Sequence, residues 1–178
     1  TREHGIKGLR SNPDQDGAID SAAVRALWRT AADEGIVVNV HIQRNNADAA
    51  YRMLGDFPDL PVVLDHSLYP KVGPDLDATL RAVQRLSERK NLHTKLSFIA
   101  TGSLGGYPCE DMHTPCLSVI EAFGPDRCVW GSDFPCELWT PMVSYSEALK
   151  IFRELLPLSV QARAMILGGT ATRLWFGG

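Results

Sequence analysis

The sequence predicts an α/β fold in which repeated βα units build a parallel sheet, and two observations carry that expectation. Apolar runs rich in Val, Ile and Leu alternate from end to end with stretches of helical period. The candidate strand ends Leu9, His41, His66, Ser97 and Asp133 are 32, 25, 31 and 36 residues apart, each step the size of one βα repeat. Five strands are expected, in a single domain over residues 1–178.

The first strand is expected over 6–9, followed by the polar turn cluster Ser11-Asn12-Pro13-Asp14. A helix then runs through Val24, Leu27, Trp28 and Ala31, with Asp20 or Ser21 as its cap and Gly35 where a left-handed terminating residue is wanted. Residues 36–41 read as a β-branched strand buried on both faces and closing on His41. A short helix over 47–54 leads through Phe57-Pro58-Asp59-Leu60-Pro61 into a strand over 62–66 that ends on His66. Leu76, Leu80, Val83 and Leu86 are spaced as one helical face, and strand character resumes over 91–97. The long segment 100–114, with Gly102, Gly105 and Gly106, is expected to be a substrate-facing lid or a disordered insert. A helix over 115–123 ends at Gly124-Pro125, and residues 127–133 supply the last strand and its exit at Asp133. The periods of 145–156 and 159–175 are helical and place both on the outside of the sheet.

With 44% hydrophobic and 22% charged residues, the composition is that of a globular domain able to bury a substantial core. The formal charge is −3 and the basic residues are scattered, which argues against a nucleic-acid or membrane-surface binder and for a small-molecule partner. No apolar run reaches the roughly 18 to 20 residues of a membrane span and no signal peptide opens the chain, so a cytoplasmic location is expected. Cys109, Cys116, Cys128 and Cys136 lack the close pairs of a zinc site and are read as free thiols.

In parallel α/β sheets, residues at the C-terminal strand ends converge on the ligand-binding face however far apart they lie in sequence. His41, His66 and Asp133 share that face. Imidazole can ligate a metal, donate to a developing oxyanion or shuttle a proton, and a carboxylate can ligate or act as a general base. One histidine at a strand end is commonly a hydrogen-bonded structural residue; three polar groups on one face point to water activation. His4 and His93 are assigned to structure, whereas His113, in the long segment, is a candidate to face substrate. Arg10, just beyond the first strand, has the planar fork that suits a substrate carboxylate, with a surface ion pair as its alternative. Lys7 and Lys95 lie on strands and are read as solvated or packed, with bridging of two metals or holding of a carboxylate-bearing substrate as the alternative for a barrel lysine.

The stretches Gly5-Ile6-Lys7-Gly8-Leu9-Arg10, Val38-Asn39-Val40-His41, Val63-Leu64-Asp65-His66 and, most specifically, Phe123-Gly124-Pro125-Asp126-Arg127-Cys128-Val129-Trp130-Gly131-Ser132-Asp133-Phe134-Pro135 resemble the amidohydrolase-related proteins. The resemblance implies a (β/α)8 TIM-barrel type of fold of which about the last five βα units are present, a partial barrel. His41 would end the fifth strand, His66 the sixth and Asp133 the eighth. It implies Asp133 as general base, His41 and His66 as its catalytic partners, and the three together as ligands of a divalent ion such as zinc where one is bound; a metal-free site is the alternative. The wording around His66 and over 91–97 is similar to the lactonase branch, with decarboxylases as near relatives. The substrate expected is a small lactone or carboxylic acid. That family's first strand carries an H-x-H pair, which is absent from these 178 residues. A complete barrel needs about 250 residues, so the N-terminal strands are expected to be missing from this chain. A catalytically inactive partial barrel that associates through exposed strand edges, as a homo-oligomer or with another chain, is therefore a further alternative.

Zinc lowers the pKa of bound water from about 15.7 to about 7, whereas a side-chain carboxylate titrates near 4. Complete proton transfer from water to an unassisted carboxylate thus stands roughly 12 units uphill, on the order of 16 kcal/mol. Such a base can assist attack only on an activated electrophile, and a lactone qualifies better than an amide.

Overall fold

The structure, a computed structural model, describes residues 4–13, 17–136 and 142–177. Five parallel strands form one sheet in the order of the sequence: β1 (Gly8–Ser11), β2 (Val37–Val40), β3 (Val62–Leu64), β4 (Leu92–Leu96) and β5 (Cys128–Trp130). The connecting helices are α1 (Ala22–Glu34), α2 (Ala47–Asp56), α3 (Leu76–Ser87) and α4 (His113–Phe123). After β5 come α5 (Tyr145–Lys150), α6 (Val160–Ala164) and α7 (Thr170–Trp175), joined by the wider π-helical turns Ile151–Leu155 and Met165–Gly169. Five consecutive βα units of barrel type are thus present, as the strand spacing predicts. Among the described residues no helix is long and apolar enough to cross a membrane.

Local chemistry sets the boundaries. Ser21 caps α1 by accepting from the Val24 amide at 3.3 Å. Gly35, at φ 65°, lets the chain reverse so that its own amide reaches Ala32 O and that of Ile36 reaches Ala31 O. The expected first strand over 6–9 lies two residues further on, because Gly8 through Ser11 register against Val37 through Val40. The fully buried Ser11 is a strand residue, not part of the turn cluster, and Arg10 lies within β1 and not beyond it.

Alternation along each strand divides the sheet into two unlike faces. Val38, Val40, Val62, Leu64, Leu92 and Leu96 point into the helix layer and join the main apolar core. The registered partners Arg10, Asn39, Val63 and His93, with Lys95 and Val129, point the other way. That second face is polar toward the C-terminal strand ends. The half-buried Trp175 lines it beside Gly8, so the C-terminal segment does not stay wholly outside the sheet as expected.

The segment 100–114 is neither a lid nor a disordered insert. It holds a single helical turn (Ile99–Gly102) and a 3-10 turn (Glu110–Met112), and it buries Cys109 and Met112. A Cβ on Gly102 would lie 2.3 Å from Pro70 O, so the absent side chain is what lets this segment close against the loop after β3. All four cysteines are free thiols, as expected.

The N-terminal ends of the strands are tied by two side chains. Asn91 Nδ2 donates to Leu54 O, Phe57 O and Leu60 O at 3.3, 2.8 and 3.2 Å. Arg127 donates from Nε to Phe123 O at 2.9 Å and from Nη1 to Ser87 O, Arg89 O and Leu92 O at 3.0, 3.1 and 3.1 Å. Removing a cation that serves four carbonyls is expected to destabilise the chain by about 2 kcal/mol. Arg127→Met should then lower the melting temperature by roughly 4 to 8 °C in thermal denaturation, and an unchanged midpoint would show that the carbonyls find other donors.

Candidate active site

The site begins where β3 stops. After Leu64 the backbone enters a left-handed turn in which His66, Ser67, Leu68 and Tyr69 have φ of 54, 51, 63 and 56°. Tyr69 N donates to His66 O at 2.8 Å, closing one turn of three residues. In that geometry side chains at i and i+3 eclipse. The rings of His66 and Tyr69 accordingly stack, with centroids 4.5 Å apart and planes 25° from parallel. Four successive non-glycine residues in this region are unfavourable in isolation. The turn is held by Leu68, 2% exposed, and by Ser67 Oγ, which meets Thr94 Oγ1 at 2.8 Å and Lys95 O at 3.2 Å.

The turn brings together residues from neighbouring strand ends. His41, one residue past β2, accepts a short hydrogen bond at Nε2 from the Tyr69 hydroxyl. Burial pushes that phenol up to about 12, so it stays protonated at neutral pH and is the donor to His41. The His41 and His66 rings meet edge to face with centroids 5.9 Å apart. His66 Nδ1 lies 2.9 Å from Ser97 Oγ, just past β4, and His66 Nε2 faces Asp133 Oδ1 at 4.0 Å. With Nε2 toward a carboxylate, the imidazole proton belongs there and the Ser97 hydroxyl donates to Nδ1. His66 is 5% exposed, and burial first, then the charge of Lys95, lowers its pKa to about 4 against the opposing pull of Asp133 and Asp65. It is a neutral donor at physiological pH. Asp133 stands three residues past β5 at φ 55°, a conformation that turns its side chain back over the sheet.

Beside this cluster lies a second one. Asp65, 3% exposed, is paired through Oδ2 with Arg10 Nε at 3.1 Å and through Oδ1 with Lys95 Nζ at 3.1 Å. Gly131 leaves room for the lysine stem, since a Cβ there would sit 3.2 Å from Lys95 Cδ. Arg10, Asn39, Asp65, Lys95, Asp133 and Trp175 line an open depression of about 440 Å³ on the polar sheet face. A larger hollow of about 510 Å³ between α3 and α4 is lined by residues such as Asp77, Arg81, Ser118 and Glu121, with no imidazole among the described residues that line it.

Of the residues expected from sequence, His41, His66 and Asp133 are brought together and Arg10 lies beside them. His113 opens α4, and its ring hydrogen-bonds through Nε2 to Pro108 O at 2.9 Å, inside its own loop. The expected metal set of His41, His66 and Asp133 does not form in this arrangement. His41 Nε2 is turned to the tyrosine, and among the described residues no group of three or more His, Cys, Asp or Glu is placed to hold a metal ion. Sequence reasoning missed Tyr69 and Ser97 and left Asp65 and Lys95 without a role in the site. The signal for Asp65 was present, because a carboxylate directly following a buried apolar strand needs cationic partners.

The sequence profile of the Amidohydrolase family matches residues 1–177. An L-fucono-1,5-lactonase of Burkholderia ambifaria is 24% identical over 176 residues, which is 96% of this chain and 60% of the relative. A Burkholderia multivorans amidohydrolase crystallised with bound zinc shares the fold with a TM-score of 0.83 at 23% identity, over 95% of this chain and 64% of that one. A Pseudomonas putida protein assigned as a 2-pyrone-4,6-dicarboxylic acid hydrolase gives a TM-score of 0.79 at 27% identity, over 97% of this chain and 64% of that one. The chain therefore spans less than two thirds of the length of these relatives. Its five βα units correspond to part of a TIM barrel, and with the profile extending over almost all of its length the chain belongs to the Amidohydrolase family.

Proposed function

We propose that the site hydrolyses a lactone that carries a carboxylate. The observation that carries this reading is the opposition of a neutral imidazole N–H and a carboxylate, His66 Nε2 and Asp133 Oδ1, across 4.0 Å at the edge of a depression holding Arg10 and Lys95. The lactone carbonyl oxygen accepts from His66 Nε2–H. Asp133 takes a proton from water as the water oxygen bonds to the carbonyl carbon, and the oxyanion so formed is stabilised by the same imidazole. On collapse the ring C–O bond breaks and the departing oxygen takes the proton back from Asp133, giving a hydroxy acid. Arg10 engages Asp65 through Nε, so its terminal nitrogens can bind a substrate carboxylate in the paired geometry. Likeness to a lactonase and to a protein assigned as a pyrone hydrolase supports a cyclic ester as substrate. No step requires a metal ion.

The chain should open a carboxylate-bearing lactone such as a pyrone dicarboxylate in a pH-stat assay, faster than a sugar 1,5-lactone that lacks the carboxylate, and Asp133→Asn should lower kcat by about 10³-fold. His66→Ala should lower it by about 10² to 10³-fold. Arg10→Met should raise KM roughly tenfold for carboxylate-bearing lactones with kcat little changed. An Asp133→Asn rate within about tenfold of the original would remove Asp133 as the base.

The neutral state of His66 has a separate consequence for stability. An imidazole in the unfolded chain titrates near 6.5, and His66 in the fold near about 4. Between those values the unfolded state binds the extra proton, so stability falls as pH drops through that window and is unaffected above it. The melting temperature should decline between pH 7 and 5 more steeply for the unsubstituted chain than for His66→Gln; parallel declines would show that His66 titrates normally in the fold.

A further inference from the structure

We propose that Tyr69 is the positioning residue of the imidazole pair, and that its hydroxyl holds the place on His41 Nε2 that a divalent ion would need. The inference concerns the two rings alone and stands whichever substrate the site takes.

The unprotonated nitrogen of a neutral imidazole has a single in-plane lone pair, which either accepts a hydrogen bond or ligates a metal ion. At His41 Nε2 the Tyr69 hydroxyl occupies it. The other ring nitrogen, Nδ1, is buried. At His66 the Ser97 hydroxyl fills Nδ1 and directs Nε2 toward Asp133. The imidazole nitrogen that would complete a set with His66 and Asp133 is thus the one the phenol covers.

The phenol is not a side chain that happens to lean on the site. Its ring stacks on His66 at 4.5 Å and meets His41 nearly at right angles, 82°, with centroids 5.4 Å apart. Its Cα is fixed by the left-handed turn, through Tyr69 N to His66 O at 2.8 Å and the burial of Leu68. One residue therefore sets the tautomer of His41 and the relative placement of both rings. Those are the tasks a bound ion performs where imidazoles converge on a metal. A phenylalanine keeps both ring contacts and removes the hydroxyl from Nε2.

Zinc uptake by the 178-residue chain tests this, by equilibrium dialysis with elemental analysis, taking the part lost in His41→Ala as the reading. The unsubstituted chain should show no His41-dependent zinc at micromolar concentration. Tyr69→Phe should gain one His41-dependent ion, at least about tenfold tighter, since a competing hydrogen bond has gone. Equal His41-dependent uptake with and without the phenol overturns the proposal, as does a folded Tyr69→Phe chain with no gain; Tyr69→Leu serves as the second variant. Imidazole 15N spectra of the unsubstituted chain provide an independent reading. His41 should appear protonated on Nδ1 and unchanged by zinc, and a zinc-induced shift of its Nε2 signal overturns the proposal as well.

Discussion

A carboxylate buried to 3% exposure must be paired, and the pairing of Asp65 organises the polar face of the sheet. Its two oxygens draw Arg10 from β1 and Lys95 from β4 to the residue that follows β3, so one charge ties three strand ends across the sheet. The pairing leaves one positive charge in excess beside an open depression. Truncating Asp65 would leave two cations together on one face, a heavier penalty than the loss of a surface ion pair.

The left-handed turn that follows is the second constraint. Each non-glycine residue in this region costs roughly 1–2 kcal/mol relative to a right-handed one. Four in succession persist because the contacts of Ser67 and Leu68 over-determine them. An extended continuation of β3 would put His66 and Tyr69 on opposite faces of the chain. The left-handed turn stacks them instead and so delivers both rings to His41. The strain and the ring cluster are two aspects of one local structure.

Much of this molecule is legible in its sequence. The strand count, the parallel order and the gathering of His41, His66 and Asp133 follow from strand spacing and from the rule that strand C-termini share a face. Arg10 is legible for a similar reason, though the true end of β1 lies at Ser11, because polar Ser11 looks like a turn residue until its burial is known. Tyr69 is not legible. In sequence it stands three positions from His66 in what reads as a connector, and Ser, Leu and Tyr give no local reason to expect the left-handed turn that brings the two rings together. The segment 100–114 is misread for a related reason: glycines suggest mobility, but Gly102 is there for close packing on Pro70.

The two clusters differ in electrical character, and Asp133 lies at their junction. On one side are His41, Tyr69, His66 and Ser97, a group of hydrogen-bonded rings and a hydroxyl in which burial keeps His66 neutral. On the other are Arg10, Lys95 and Asp65, joined by ion pairs and facing the depression. Asp133 faces His66 and also lines the depression. A substrate held by its carboxylate on the charged side would present its ester carbonyl to the neutral side. Charge on the anchoring groups is satisfied in the bound ground state, whereas the neutral imidazole N–H interacts most strongly with the oxyanion that forms only as water attacks. In the proposed reaction, separating the groups in this way would let the cations govern affinity while His66 and Asp133 govern rate.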